Sequence, residues 1–522
     1  MLQESLDFQA KERSFYEVLG QKYPPSPSQE SAPNDQYNPK EDGINVENNN
    51  EVNTKGSHFE KRGKKNHHAE EYDCEEERRS KLPAVHTEFE VPTEEFDEVL
   101  LCTVGEREKN FEAYRTELIN ARSKNTLQVK RAKGRRVKKP NKTKEMIDLR
   151  SLLMNCAQFV AADDRGSAKE LLRQIREHSS PIGNGIQRLA HYFADGLEAR
   201  LAGTGSHIHK AIVYKRTTAS DFLKAYYTSL AVCPFQAIST FVSSTFIAMK
   251  SEKAMRVHVI DFGILYGFQW PTFIQNLSER EGGPPKLRVT GIEVPQPGFR
   301  PAERVEDTGH RLARYAETFN VPFEFNAIAQ NWETIKIEDF KIEKGEFVAV
   351  NCLYRAGNLP DEASVAESSR TMVLQLIRKI DPDIFIHGII NASFGLPFFV
   401  TRFRQALFHF SALYDMLDAN IPREKPERIL IERDLIGKEA VNVIACEGWS
   451  RVQRPETYKQ WRVRHLKAGF FQIPFERKLM DNAMYKVRNS YHREFIIDED
   501  DKWLLLGWKG RMMYAISCWQ PV

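Results

Sequence analysis

The chain of 522 residues has little net charge: 75 Lys+Arg stand against 72 Asp+Glu, a formal +3. That excludes the uniformly cationic composition of a nucleic-acid polyelectrolyte and moves attention to local clusters. Long hydrophobic runs are missing too, since no stretch approaches the ~18 apolar residues of a membrane helix, so no membrane partner is expected. Cysteine is scarce and scattered. The seven residues, Cys74, Cys102, Cys156, Cys233, Cys352, Cys446 and Cys518, form no CxxC pair, and Met1 opens no signal-peptide pattern, which points to a reducing intracellular compartment. Catalytic signatures are absent as well: there is no HExxH, no P-loop and no G-x-S-x-G elbow. His207 and His209 make a lone HIH, which reads as loop rather than metal site. No catalytic residue, metal or cofactor is assigned.

Apolar residues are sparse in the first part of the chain. Residues 21–60 are rich in Pro, Ser, Asn, Glu and Asp and cannot offset chain entropy, so 1–144 is expected to be a charged, disordered arm. Within it Phe96, Val99, Leu100, Leu101 and Val104, continued by Phe111, Tyr114 and Leu118, suggest an amphipathic helix. Such a helix could dock on a partner or pack on its own domain. The arm ends in a basic stretch near 130–144 with no acidic residue: Lys130, Arg131, Lys133, Arg135, Arg136, Lys138, Lys139, Lys142 and Lys144. A nuclear-import signal is the first reading, a phosphate-contacting tether and a solvated linker the others.

From 145 to Val522 regular apolar spacing predicts one folded unit of roughly 375 residues, large enough for a sizeable core. Leu149, Leu152, Leu153, Cys156, Ala157 and Val160 fall on one helical face, and four further helices follow as far as residue 250. Leu149, Leu152 and Leu153 also spell LxxLL, a candidate partner-binding helix, although a stripe continuing to Val160 favours core packing. Strand candidates Arg256–Asp261, Leu287–Ile292, Val321–Phe325, Phe347–Asn351 and Asp383–Ile389 alternate with helices, which implies a parallel sheet with right-handed crossovers. A long helix near Pro397–Leu417, a helix around Arg423–Gly437, a strand at Val441–Cys446, and helices around Pro455–Lys467 and Lys478–Arg488 come next. A hairpin of Trp503–Trp508 and Arg511–Trp519 closes the chain. The expected class is α/β, a Rossmann-like, methyltransferase-type, mostly parallel sheet with a helical cap.

In that class an acid ends the first strand, glycines let a cofactor approach, and a second acid holds ribose hydroxyls. Asp261, Gly263, Gly267 and Glu293 occupy those places as vestigial candidates. The turn, however, carries Leu265 where the middle glycine would stand; its branched side chain would crowd an adenosyl cofactor and restrict φ. No Asn/Asp-Pro-Pro-aromatic motif follows the fourth strand, where Asn351-Cys-Leu-Tyr354 lacks the prolines. An enzyme is therefore the lesser reading, and a surviving nucleoside or small-molecule site the alternative.

These residues together resemble the plant GRAS family of transcription regulators, over about Met146 to Val522. Val257-His258-Val259-Ile260-Asp261 looks like the family's VHIID block, with Val in the third place. It lies in a VHIID region of about 225–295, between leucine-rich regions of about 146–206 and 307–340. Asn351-Cys-Leu-Tyr354-Arg355 resembles the core of the PFYRE region, about 347–440; Arg451-Val-Gln-Arg454 resembles RVER with Gln453 for Glu, inside a SAW region of about 443–522. Ser179-Ser-Pro181 and His191-Tyr-Phe193 resemble the scarecrow-like branch. The resemblance implies a nuclear protein that modulates transcription in plant development or stress responses. Its implied partners are other transcription factors, a second GRAS protein in a homo- or heterodimer, and DNA directly or indirectly. Basic residues in Arg300–Arg314, Arg402, Arg404 and Arg451–Arg464 offer a phosphate-binding face or, with their acidic neighbours, ordinary solvated helix surfaces.

Overall fold

The computed structural model describes residues 91–134, 148–205, 218–360 and 368–522. The candidate import residues Arg135, Arg136, Lys138 and Lys139, the 21–60 segment and the HIH pair lie outside them, as do the side chains of Lys130, Arg131 and Lys133.

The heart of the fold is a nine-stranded sheet. Five parallel strands, β1 (Arg256–Phe262), β2 (Lys286–Glu293), β3 (Phe323–Ala329), β4 (Phe347–Leu353) and β5 (Ile384–Ile390), stand in the order 3-2-1-4-5. The long β9 (Arg511–Pro521) runs antiparallel to β5 and pairs on its other edge with β8 (Trp503–Trp508) and with the short β6 (Phe470–Ile473), while β7 (Phe495–Asp500) forms the far edge. This is the Rossmann-like, methyltransferase-type sheet that the strand–helix alternation predicts. Its strands are apolar on both faces because helices cover both faces. In β1, Val257 and Val259 belong to one core, and Ile260 and Phe262 to the other. His258 points to the second face, 2.8 Å from the Thr290 hydroxyl and 3.3 Å from Glu346; burial pushes its imidazole down to about 4, so it is a neutral core residue.

Helices α3 (Leu149–Ala161), α4 (Arg165–His178), α5 (Gly185–Leu201), α6 (Ala219–Val232) and α7 (Pro234–Lys250) form the expected block before β1. Asp148, Asp164, Asn184 and Thr218 each cap a helix by accepting a backbone N–H in its first turn, which is why these helices start where they do. Leu149 and Leu153 are buried, so LxxLL is a core stripe and presents no free triad to a partner. The crossovers are α8 (Trp270–Ser278), α9 (Glu303–Thr318) and α10 (Ser369–Ile380), and α11 (Phe399–Asn420) follows β5.

Two expectations change here. The arm is not disordered through 144: α1 (Thr93–Leu100) and α2 (Gly105–Gly134) are helices, and Phe96, Val99, Leu100, Phe111 and Leu118 are buried against the domain. Arg311 sits over the Phe96 ring at 3.7 Å, Arg314 and Tyr315 donate to Asp97, and Arg115 donates to the Ala231 carbonyl at 3.1 Å. The amphipathic stretch thus covers α6 and α9, the second of its two readings. The predicted strand at Val441–Cys446 is instead helical: α12 (Pro426–Leu430), a π-helical segment (Ile431–Gly437) and α13 (Lys438–Ala445) run on. A short apolar run has no decisive period, and here tertiary packing overrides the β-branched residues. A Cβ on Gly196 would stand 3.0 Å from Ile444, so α5 and α13 meet at the distance glycine permits. After it come α14 (Tyr458–Lys467) and α15 (Arg477–Ser490).

The π-helical segment is held by charges taken wholly out of water. Glu432 accepts from Arg188 at 2.6 Å and from Arg428 at 2.7 Å, all three fully buried, and the remaining guanidinium hydrogens go to the carbonyls of Gly183, Arg423 and Ile421 and to Asp418. Replacing Glu432 by Ala leaves two buried cations without their shared partner. The expected loss is about 3–5 kcal/mol in urea unfolding. Glu170→Ala, which removes an exposed i,i+3 pair with Arg173, leaves the midpoint essentially unmoved; equal effects would show that burial is not what gives the triad its weight.

Candidate functional site

In an open parallel sheet the binding crevice forms where neighbouring strands lead off to opposite sides, here between the carboxyl ends of β1 and β4. Asp261 and Asn351 are register partners at that point. The sequence therefore places the candidate acid at the switch point, and the structure brings Asp261, Gly263 and Glu293 to that crevice, whereas Gly267 faces Thr308 and Leu312 of α9.

What surrounds them is not a vacant cradle. Asp261 accepts from the Trp270 indole at 2.8 Å and from the Asn351 amide at 3.0 Å. Asn351 accepts from Ser243 at 2.8 Å, and Gln269 donates to Ser243 at 3.0 Å, so the carboxylate belongs to a buried network anchored on α7 and the turn after β1. Burial pushes its carboxyl up to about 6, against the lowering by those two donors. Glu293 accepts from its neighbours' backbone, Leu265 N–H at 3.0 Å and Val294 N–H at 3.3 Å, and lies 3.4 Å from Arg304 and 3.6 Å from Arg355. Its acceptor sites are met from inside the protein.

The glycine turn is likewise filled. Gly263 has φ +93°, and a Cβ there would stand 2.6 Å from the Arg355 side chain, so the space that would admit a phosphate or ribose holds an arginine stem. Leu265 takes φ +51°, a left-handed conformation unusual for a branched residue. It is pinned there at both ends, by Glu293 on its N–H and by the Thr308 hydroxyl, which donates to its carbonyl at 2.7 Å. These residues do not fit an adenosyl cofactor. Trp270, Gln269 and Ser243 are site residues that the sequence did not single out, and Arg355 stood out only within the PFYRE-like motif; a tryptophan and a glutamine directly after a glycine turn were the available signal.

Above this floor, under α6, α7, α11 and the π-helical segment, lies a cavity of about 720 Å³. Tyr226 stacks on Phe268 at 3.8 Å and Tyr354 meets Tyr514 edge-on at 5.0 Å along its wall. The basic residues, read as a phosphate-binding face or as solvated helix surfaces, divide between the interior and the surface. Arg402, Arg451 and Arg454 are buried, with Arg402 donating to the carbonyls of Val443, Leu396 and Pro397 and Arg454 to that of Arg451, while Arg300, Arg304 and Arg314 pair with Glu303, Glu293 and Asp97. Arg404 is exposed. No cluster of metal-ligating side chains occurs among the described residues.

The GRAS domain model matches residues 149–520, which spans the helical block, the sheet and the closing strands. The chain belongs to the GRAS domain family. It is 46% identical to Scarecrow-like protein 9 of Arabidopsis thaliana over 100% of this chain and 86% of that protein. It is 33% identical to the Arabidopsis thaliana Scarecrow-like transcription factor PAT1 over 72% and 76% of the two chains. The crystal structure of SCL7 from Oryza sativa superimposes with a TM-score of 0.61 at 28% identity, covering 72% of this chain and all of that one. The VHIID block of this GRAS domain is thus a central strand: two valines and an isoleucine feed the cores, His258 braces the second face, and Asp261 ends the strand in the network.

Asp261 supplies a pH test. Its folded value lies above the ~3.9 of a free carboxyl, so the native state holds the proton between about 4 and 6 and this group's contribution to stability falls as pH rises through that window, by on the order of 3 kcal/mol. Asp261→Asn should therefore gain on the wild type by about that amount between pH 4 and pH 7 in urea unfolding. A difference that stays constant across the window would mean the carboxyl is not desolvated as described.

Proposed function

We propose that this protein is a nuclear transcription regulator that works through contacts with other proteins, its methyltransferase-like sheet serving as scaffold rather than as catalyst. The observation that carries the reading is membership of the GRAS family over 149–520, with a relative that bears the name transcription factor. The crevice supports it: Asp261, Gly263 and Glu293, the positions that would serve a nucleotide, are engaged by Trp270, Asn351, Arg355 and backbone. The mode of action we favour is modulation of other DNA-binding factors, alone or paired with a second GRAS protein, because three of the arginines that could have formed a phosphate-binding face, Arg402, Arg451 and Arg454, are buried inside the domain.

The basic stretch Lys130, Arg131, Lys133, Arg135, Arg136, Lys138 and Lys139 is proposed as the import signal. The full chain fused to a fluorescent protein should accumulate in plant-cell nuclei, and Gln at all seven positions should redistribute it to the cytoplasm while its unfolding midpoint stays put. Unchanged nuclear accumulation would sink the assignment. A mobility shift by the wild type that survives those seven changes would move direct DNA contact onto the folded domain.

A further inference from the structure

Two charged side chains face the cavity above the crevice without a side-chain hydrogen bond from the described residues. Glu439, on α13, has no polar partner among the described residues, and burial pushes its carboxyl up to about 7 against the lowering field of Arg355. Among the described residues the Arg355 guanidinium has one ion-pair partner, Glu293, 3.6 Å away, and its stem lies over Gly263 so that the guanidinium borders both this cavity and a neighbouring one of about 430 Å³. The other charged groups of the wall are already engaged: Asp261 by Trp270 and Asn351, and Asp434 and Lys438 by each other, with Arg433 on Asp434 as well. The open positions are thus one anion and one cation, close enough to feel each other's field, beside stacked aromatic rings.

We propose that this cavity binds a small zwitterion with a flat apolar side chain, of the aromatic α-amino acid class, its ammonium on Glu439 and its carboxylate on Arg355. A simple amine would neutralise Glu439 and leave its own positive charge facing Arg355; a simple acid has the converse fault. Only a molecule bearing both charges satisfies both groups, and a guanidinium is suited to a carboxylate by its paired donors. Tyr226, Phe268, Tyr354 and Tyr514 supply the ring surface for the side chain. A volume of about 720 Å³ accommodates such a ligand with room to spare. The inference does not depend on the regulatory role.

The test uses the full chain, calorimetry and thermal shift, with L-phenylalanine and L-tryptophan as probes against phenylalanine amide, which lacks the anion, and N-acetyl-phenylalanine, which lacks the cation. The free amino acids should bind saturably and at least about tenfold more tightly than either derivative. Glu439→Gln, which removes a desolvated carboxyl and no hydrogen bond among the described residues, should unfold no more easily than the wild type and lose the preference over N-acetyl-phenylalanine. Arg355→Met should lose the preference over the amide. Absence of saturable binding up to ~10 mM, equal binding of the derivatives, or a Glu439→Gln protein that binds as the wild type does would each overturn the proposal.

Discussion

A carboxylate at the carboxyl end of a buried central strand must be solvated by something, and in this protein it is solvated by the protein. Asp261 leaves water on account of its place between β2 and β4, and the cost of that burial is met by the Trp270 indole and the Asn351 amide. Much else follows from that satisfaction. The turn after β1 must bring Trp270 round to the acid, α7 must present Ser243 to Asn351, and Gln269 must join them. In a cofactor-binding sheet the same acids face a ligand. Here Glu293 holds Leu265 in its left-handed turn, and Arg355 fills the space that Gly263 leaves. A handful of side chains thus engages the strand-end acids and the glycine turn from within, with the sheet order untouched.

The same economy appears around the cap. The Arg188–Glu432–Arg428 triad fixes the π-helical segment against α5, and the glycine contacts of Gly196 and Gly205 let α13 lie close against its neighbours. The helices α1 and α2 then cover α6 and α9 through Phe96, Phe111 and the Asp97 contacts. The folded unit thus begins well before the GRAS match at residue 149, and surface that would otherwise be offered to partners is covered by the chain's own arm.

From Arg256 to Ile390 the fold was legible because parallel strands read as short apolar runs, separated by helices with clear amphipathic faces. Legibility failed where local signal and packing disagree. Val441–Cys446 has the β-branched residues of a strand and is a helix, because close contact with α5 decides its conformation. The four-residue β6 is too short to show a period, and the charged end of β7, Asp498 to Asp500, hides an edge strand. In the site, the strand-end acids Asp261 and Glu293 were readable from position alone. Their partners were not, since Asn351 lies 90 residues from Asp261 and Arg355 reaches Gly263 only through the sheet. Arginine clusters misled in a similar way: Arg402, Arg451 and Arg454 look like a cationic surface in sequence and are buried carbonyl donors in the fold.

The strand-end acids and the Gly263 turn, where a nucleotide cofactor would be held, are occupied by the protein's own side chains and backbone. Titrating the full chain with adenosylmethionine in a calorimeter, beside a Leu265→Gly variant, tests this most directly. No saturable heat is expected from either protein, since Arg355, Trp270 and the engaged acids remain when Leu265 is gone. Saturable binding by the wild type at micromolar concentration would contradict that occupancy and return catalysis to the crevice.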